Sequence, residues 1–224
     1  MKIIVIGDVH GMSIWKTIIE QEQTYDKVIF LGDYWDSFDI TPIDQQNNYK
    51  KIQEFRDSNP DKVVTLMGNH DFHYLYTAKY SGWKLSTKEL AKELLDKDFL
   101  ANKLPFVYKY ENILFSHAGI SNYWLKEVAE TTLEELLEGL VPMSCFDWNG
   151  IRGFDAYGNT ISNSPIWIRP QALVGDMLNS YIQVVGHTHS NQIMNIHDEL
   201  YVCDTLPNQY LVIELNKFTI KTLI

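Results

Sequence analysis

The 224-residue chain has little of what carries several common functions. It has only two cysteines, Cys145 and Cys203, with no CxxC spacing. That argues against a disulfide scaffold or a thiolate metal site and leaves two reduced, packed thiols as the expectation. No apolar run exceeds about seven residues, against the roughly 20 that cross a bilayer. Nothing after Met1-Lys2 reads as the apolar stretch of a secretory leader, so the expectation is a cytoplasmic protein with no membrane partner. Basic residues come at most in short groups such as Lys50-Lys51, and 19 Lys+Arg stand against 29 Asp+Glu for a net charge of -10. Such a chain lacks the electrostatic footprint of a binder of long nucleic acids. Internal repeats, low-complexity tracts and composition shifts are also missing, so one domain over 1–224 is expected.

What is present is a core and a rhythm. A 45% hydrophobic, 13% aromatic composition suffices for ordinary packing. Short β-branched runs each stop at a glycine or a polar cluster. Lys2-Ile3-Ile4-Val5-Ile6 runs into Gly7-Asp8-Val9-His10-Gly11, and Lys27-Val28-Ile29-Phe30-Leu31 into Gly32-Asp33-Tyr34-Trp35-Asp36. Lys62-Val63-Val64-Thr65-Leu66-Met67 runs into Gly68-Asn69-His70-Asp71, Ile113-Leu114-Phe115 into Ser116-His117-Ala118-Gly119, and Ile182-Gln183-Val184-Val185 into Gly186-His187-Thr188-His189. Runs without alternation predict strands buried on both faces, as in a layered α/β protein. Helices are expected over 13–23 and 43–57, with capping boxes at Ser86/Glu89 and Thr131/Glu134 opening two more. The C-terminal stretch reads as a hairpin-rich sheet turning at Asn216-Lys217. The Asn-, Gly- and Ser-rich segment 144–165 is too long for a plain connector and reads as a substrate loop or flap.

Five of the seven histidines, His10, His70, His117, His187 and His189, fall in these post-strand clusters, together with aspartates. Loops at the carboxyl ends of strands converge on one edge of an α/β sheet, so Asp8, His10, Asp33, Asn69, His117, His187 and His189 are expected at one site. Imidazoles and carboxylates gathered without compensation would suffer repulsion and desolvation, whereas divalent cations turn them into ligands. Nitrogen and oxygen donors without thiolate favour Mn, Fe, Zn, Co or Ni. His73 and His197 lie outside the clusters and read as ordinary polar residues, and Asp204 as a structural hydrogen-bonding group. Trp35, Trp148, Tyr157 and Trp167 are aromatic residues that could stack a nucleobase, although packing is the simpler reading.

The five blocks, in order from residue 7 to 189, resemble the signature of the calcineurin-like metallophosphoesterases. The resemblance implies a four-layer α/β/β/α sandwich with two central mixed β-sheets flanked by helices, and two divalent metals, manganese first among the candidates. Carried over position by position, it makes Asp8, His10 and His189 ligands of one metal and Asn69, His117 and His187 ligands of the other, with Asp33 bridging. It implies attack on a phosphate ester by a metal-bridging hydroxide, with His70 as general acid and Asp36 orienting it. Gly11, the Gly32-Asp33-x-x-Asp36 spacing and Trp167-Ile168-Arg169-Pro170 look like the branch of phosphoprotein phosphatases and bacterial diadenosine tetraphosphate hydrolases. In that branch the arginine of the last segment, here Arg169, binds the substrate phosphate.

Three positions depart from that branch. Ser37 stands where an arginine would follow Asp36, which turns attention to Arg152 or Arg56 as a replacement; Asp71 stands where Glu is usual; and His189 is an added histidine. The substrates implied are a small phosphate ester, a phosphoprotein or a nucleotide. The leading expectation is a phosphomonoesterase, a protein Ser/Thr phosphatase among its forms. The alternatives are a hydrolase of dinucleoside polyphosphates or cyclic diesters, and a catalytically silent scaffold that binds a protein partner. Two dications beside Asp8 and Asp33 would make the site locally positive inside an acidic protein, so the net charge does not oppose a small phosphate substrate.

Overall fold

A computed structural model describes residues 1–76, 79–147 and 155–223. Two five-stranded sheets form its centre. In the first, β1 (Lys2–Ile6), β2 (Lys27–Phe30) and β3 (Val63–Thr65) run parallel; β9 (Gln209–Glu214) pairs antiparallel with β1, and β10 (Lys217–Thr222) closes the edge. In the second, β5 (Ile113–Ser116), β6 (Ile182–Val185) and β8 (Leu200–Val202) are parallel, with β4 (Val107–Tyr110) and β7 (Met194–Ile196) antiparallel at the edges. Both sheets are mixed, as expected.

The continuous apolar strands have two buried faces. Ile3, Val5, Ile29, Leu211 and Ile213 meet Ile113, Phe115, Val184 and Tyr201 between the sheets. The alternate residues Ile4, Ile6, Val28 and Phe30 pack outward with Trp15 and Ile18 of α1 (Trp15–Glu22) and Tyr49 and Ile52 of α2 (Pro42–Ser58). The far face of the second sheet, through Val185, Leu200 and Val202, meets Leu173 of α6 (Pro170–Leu173). The remaining helices are α3 (Asn69–Leu75), α4 (Leu85–Leu100) and α5 (Leu133–Leu137), with a π-helical turn at Trp124–Val128. A buried Arg56 on α2 pairs with Asp98 on α4 at 2.8 Å, which also accepts from Tyr49 and Gln53 and locks these two helices together. None of the described helices is long and apolar enough to cross a membrane.

Local signals were displaced by a residue or two. The helix expected to open at a Ser86 box begins at Leu85 behind Lys84, which offers no side-chain cap, because apolar Ala91 and Leu95 must face the core. The second capping box is formed by Thr132 and Glu135 rather than Thr131 and Glu134; this register buries Leu133 and Leu136. The terminal hairpin turns at Leu215-Asn216, both with positive φ, because Lys217 already pairs with Glu214. The C-terminal strands do not form one sheet: β8 joins the second and β9–β10 the first.

The N-terminus of α2 is capped by Thr41, whose hydroxyl accepts from the Asp44 amide at 3.2 Å, with Pro42 following. One turn in, buried Gln45 accepts from the Ser37 amide and donates to the Ile40 carbonyl, bracing the loop that carries Asp36. Thr41→Ala is expected to lower stability by about 1 kcal/mol, read as a lower urea midpoint, with turnover unchanged.

Candidate metal centre

Every anticipated cluster sits where a strand ends. Asp8 and His10 follow β1, Asp33 and Asp36 follow β2, Asn69 and His70 open α3 after β3, His117 follows β5 and His187 follows β6. Tight glycine turns bring these ends together. A Cβ on Gly68 would overlap Asp33 Oδ1, and one on Gly186 would overlap Asp8 Oδ1, so the carboxylates occupy the space a side chain would need. His10, Asp33, Asp36 and His187 all have positive φ, a conformation that non-glycine residues hold only where surroundings impose it.

The tautomers of three imidazoles follow from their outer hydrogen bonds. His10 Nδ1 lies 2.7 Å from the Trp35 carbonyl, His117 Nδ1 2.9 Å from the Leu31 carbonyl, and His187 Nε2 3.0 Å from the Trp167 carbonyl. A carbonyl only accepts, so each of these nitrogens carries a ring proton, which leaves the other nitrogen as the one that can offer a lone pair to a cation. Those lone pairs converge on oxygen acceptors. His117 Nε2 and His187 Nδ1 lie 2.8 and 3.0 Å from Asn69 Oδ1, His117 Nε2 lies 3.3 Å from Asp33 Oδ2, and His10 Nε2 lies 3.8 Å from the same oxygen. Acceptors aimed at acceptors repel unless cations sit among them, and carbonyl-anchored imidazoles are the usual outer support of metal ligands. Asp8, His10 and Asp33 in turn place one ligand atom each within 4.8 Å of one another. The donor set therefore fits divalent cations, with Asp33 Oδ2 facing both histidine groups.

Charge tells the same story. Asp8, Asp33, Asp71 and Asp204 are all buried. Burial, reinforced by Asp204 and Asp33, pushes the Asp8 carboxyl well above the usual range. Burial acts on Asp33 too, but His117, His70 and His10 outweigh it and hold that carboxyl well below its ordinary value. Burial, with His117 and Arg169 nearby, keeps His187 well below the usual histidine range, which leaves it neutral and able to ligate. Asp71, where a Glu was the usual residue, accepts from the amides of Asp33, Tyr34 and Gly68 at 2.8, 2.8 and 3.0 Å and ties two strand ends to α3.

His70 Nδ1 bonds Asp36 Oδ2 at 2.9 Å, and the His70 amide donates to Asp33 Oδ1 at 2.8 Å. Burial pulls His70 down, but Asp33 and Asp36 outweigh it and raise it above the ordinary histidine value. Arg169 points at the His187 end, where Nη1 donates to the His187 carbonyl at 2.9 Å and to Thr188 Oγ1 at 3.1 Å. It is clamped from behind: its amide donates to the Gly158 carbonyl, and Gly158 is pressed against Trp167 and Arg169. The described part of the 144–165 loop is packed at Ser162, Asn163 and Ser164 and exposed at Tyr157, while 148–154, with Trp148 and Arg152, lies outside the described residues.

Other expectations separate. His189 is not in the converging set; its side chain is 67% exposed and its Nδ1 lies 3.5 Å from Asp204 Oδ1. Arg56 cannot supply the missing phosphate contact, since Asp98 holds it between α2 and α4. Trp35 has no exposed surface, and the Trp167 ring stacks on Tyr80 at 4.4 Å. His73, read from sequence as an ordinary polar residue, is buried with Nε2 2.6 Å from Asp36 Oδ2. Its three-residue spacing from His70 at the start of a helix was the signal that could have revealed it.

Comparison with known proteins agrees with this geometry. No curated protein sequence matches the chain. Among solved structures, a cold-active protein-tyrosine phosphatase from a psychrophilic Shewanella species is 18% identical, with a TM-score of 0.65 over 100% of this chain and 80% of that one. A protein serine/threonine phosphatase from Saccharomyces cerevisiae with similarity to human phosphatase PP5 is 13% identical, with a TM-score of 0.61 over 99% and 79%. A metallophosphoesterase from Sphaerobacter thermophilus is 15% identical, at 0.50 over 100% and 89%. At these identities the likeness bears on the fold alone. The calcineurin-like phosphoesterase family model, however, matches residues 1–209, and the chain therefore belongs to that family of metal-dependent hydrolases of phosphoester bonds.

Proposed function

We propose that the chain is a cytoplasmic phosphomonoesterase, with phosphorylated protein side chains among its substrates, that works with two divalent cations, manganese first among the candidates its nitrogen and oxygen donors admit. The observation that carries this reading is the convergence of three imidazole lone pairs on Asn69 Oδ1 and Asp33 Oδ2. In the proposed assignment Asp8 and His10 would hold one cation, with His189 able to join only by turning inward from its exposed position, Asn69, His117 and His187 would hold the other, and Asp33 would be shared. Two such cations polarise the phosphoryl oxygens and lower the pKa of water.

The chain's own residues do the rest. Arg169, whose Nη2 has no protein partner among the described residues, is placed to pair with a non-bridging phosphoryl oxygen. His70, with Nδ1–H donated to Asp36, keeps Nε2 as the nitrogen from which a proton passes to the leaving oxygen. Of the aromatic candidates for stacking a base, Trp35 is fully covered and Trp167 is already stacked on Tyr80, while Tyr157 is exposed.

The test is an assay of the manganese-loaded chain on p-nitrophenyl phosphate, its bis-ester, a phosphopeptide and diadenosine tetraphosphate. The monoester and the phosphopeptide should turn over fastest. Preferred cleavage of diadenosine tetraphosphate would replace this reading by a nucleotide hydrolase, and no turnover with two metals bound would leave a silent scaffold.

A further inference from the structure

Asp36 is held by more than one histidine. It is 4% exposed, sits at φ 68° in the loop after β2, and meets three side chains from one face of α3: His70 Nδ1 at 2.9 Å and His73 Nε2 at 2.6 Å on Oδ2, and the Tyr74 hydroxyl on Oδ1. Positions 70, 73 and 74 share that face by helical spacing. Contacts with His70, His73 and Tyr74 outweigh burial and hold the Asp36 carboxyl below its usual value, which keeps it an acceptor.

The proton on His73 can be located. The Tyr80 amide donates to His73 Nδ1 at 3.3 Å, so Nδ1 carries a lone pair and the ring proton is on Nε2, whose 2.6 Å contact with Asp36 Oδ2 is close but off the line of a regular hydrogen bond. The same bond argues against a third cation among Asp36, His70 and His73, although their ligand atoms lie within 4.8 Å of one another. A cation would need the Nε2 lone pair, and the displaced proton on Nδ1 would then face the Tyr80 N–H. His73 has no room to turn: it is 1% exposed, and Tyr80 stacks on it at 5.4 Å and 23°. Tyr80 stacks in turn on Trp167, whose carbonyl orients His187. Gly82 closes the bracket, since a Cβ there would stand 3.2 Å from Asp36 Cβ.

We infer that His73 is a positioning residue for the reaction: its Nε2–H fixes the Asp36 carboxylate so that Oδ2 stays in line with His70 Nδ1. The inference rests on the reading of His70 as the acid. A carboxylate bonded to His70 alone can swing about its side-chain torsions and take the imidazole with it. Held also at 2.6 Å by the Nε2 edge of a buried, stacked ring, it has less room to swing.

The experiment compares kcat on phenyl phosphate, a poor leaving group, with kcat on p-nitrophenyl phosphate, a good one, for the metal-loaded chain. His73→Phe keeps the stack and loses the donor. It is expected to lose about tenfold more on phenyl phosphate than on p-nitrophenyl phosphate, a fraction of the roughly 10²–10⁴ an acid contributes, with KM and metal content unchanged. His73→Gln, whose amide nitrogen reaches the same oxygen, should recover most of that loss. Equal losses on both substrates, or no rescue by Gln, would overturn the inference. His70→Asn run alongside separates the two readings: selectivity in His70→Asn but not in His73→Phe removes only the role of His73, whereas none in His70→Asn removes the acid assignment and this inference with it. If His73→Phe does not fold, ring ¹⁵N shifts of the unaltered protein decide, because a proton on His73 Nδ1 contradicts the geometry and one on Nε2 supports it.

Discussion

Asp33→Asn is expected to fold normally and yet bind fewer than two divalent cations per chain, with turnover falling by more than the roughly 10–100-fold typical of losing an outer partner of a metal ligand. The change is isosteric, and Asn Oδ1 can still accept the His70 amide that now bonds Asp33 Oδ1. Its Nδ2, placed where Oδ2 lies 3.3 Å from His117 Nε2 and 3.8 Å from His10 Nε2, instead donates protons to those lone pairs. A cation that would have been held by them is thereby displaced by a hydrogen bond. Removing the charge relieves repulsion with Asp8 and Asp71 but forfeits the stronger attraction of His117, His70 and His10, so the metal-free variant should melt somewhat below the metal-free parent. Elemental analysis after manganese loading, with kinetics on p-nitrophenyl phosphate, checks this. Two metals retained at full occupancy would overturn the bridging role proposed for Asp33.

Asp71→Ala is expected to do the opposite and unfold the protein rather than disarm it. The buried carboxylate satisfies three backbone amides, those of Asp33, Tyr34 and Gly68. Alanine leaves all three without an acceptor, at roughly 1–3 kcal/mol each. Against a total stability on the order of 5–15 kcal/mol, that loss leaves a chain marginally folded at best. Asp71→Asn, with one oxygen kept and an N–H turned toward an amide, should fall between. Chemical unfolding followed by circular dichroism reads both, and an unfolding midpoint for Asp71→Ala equal to the parent's would show that water replaces the carboxylate at no penalty.

These two aspartates show what sequence could and could not convey. The placement of Asp8, Asp33, Asn69, His117 and His187 was legible because β-branched runs broken by glycine mark strand ends, and strand ends in an α/β sheet share an edge. The distinct work of Asp71 was not, because two of its three partners are backbone amides 37 and 38 residues away in the chain. His73 was passed over for a similar reason: its importance lies in contact with Asp36 from another strand end. The helix starts were displaced because adjacent threonines and glutamates satisfy the same local pattern in two registers, and only burial of Leu133 and Leu136 chooses between them. The split of the C-terminal strands between the sheets depended on long-range pairing, which composition does not encode.

One such pairing bears on how the molecule comes into being. Ile3, Ile4 and Val5 of β1 bond on one side to β2, available early, and on the other to Ile213, Val212 and Leu211 of β9. During synthesis at about 5–20 residues per second, the second side waits roughly 10–40 s for its partner. Through that interval the nascent chain carries an apolar strand edge open to wrong partners, and a site that cannot close before His187 has emerged. Chains stalled before His187 should therefore meet chaperones and proteases with that edge still open, and the residues at the strand ends come together only after β6 has been made.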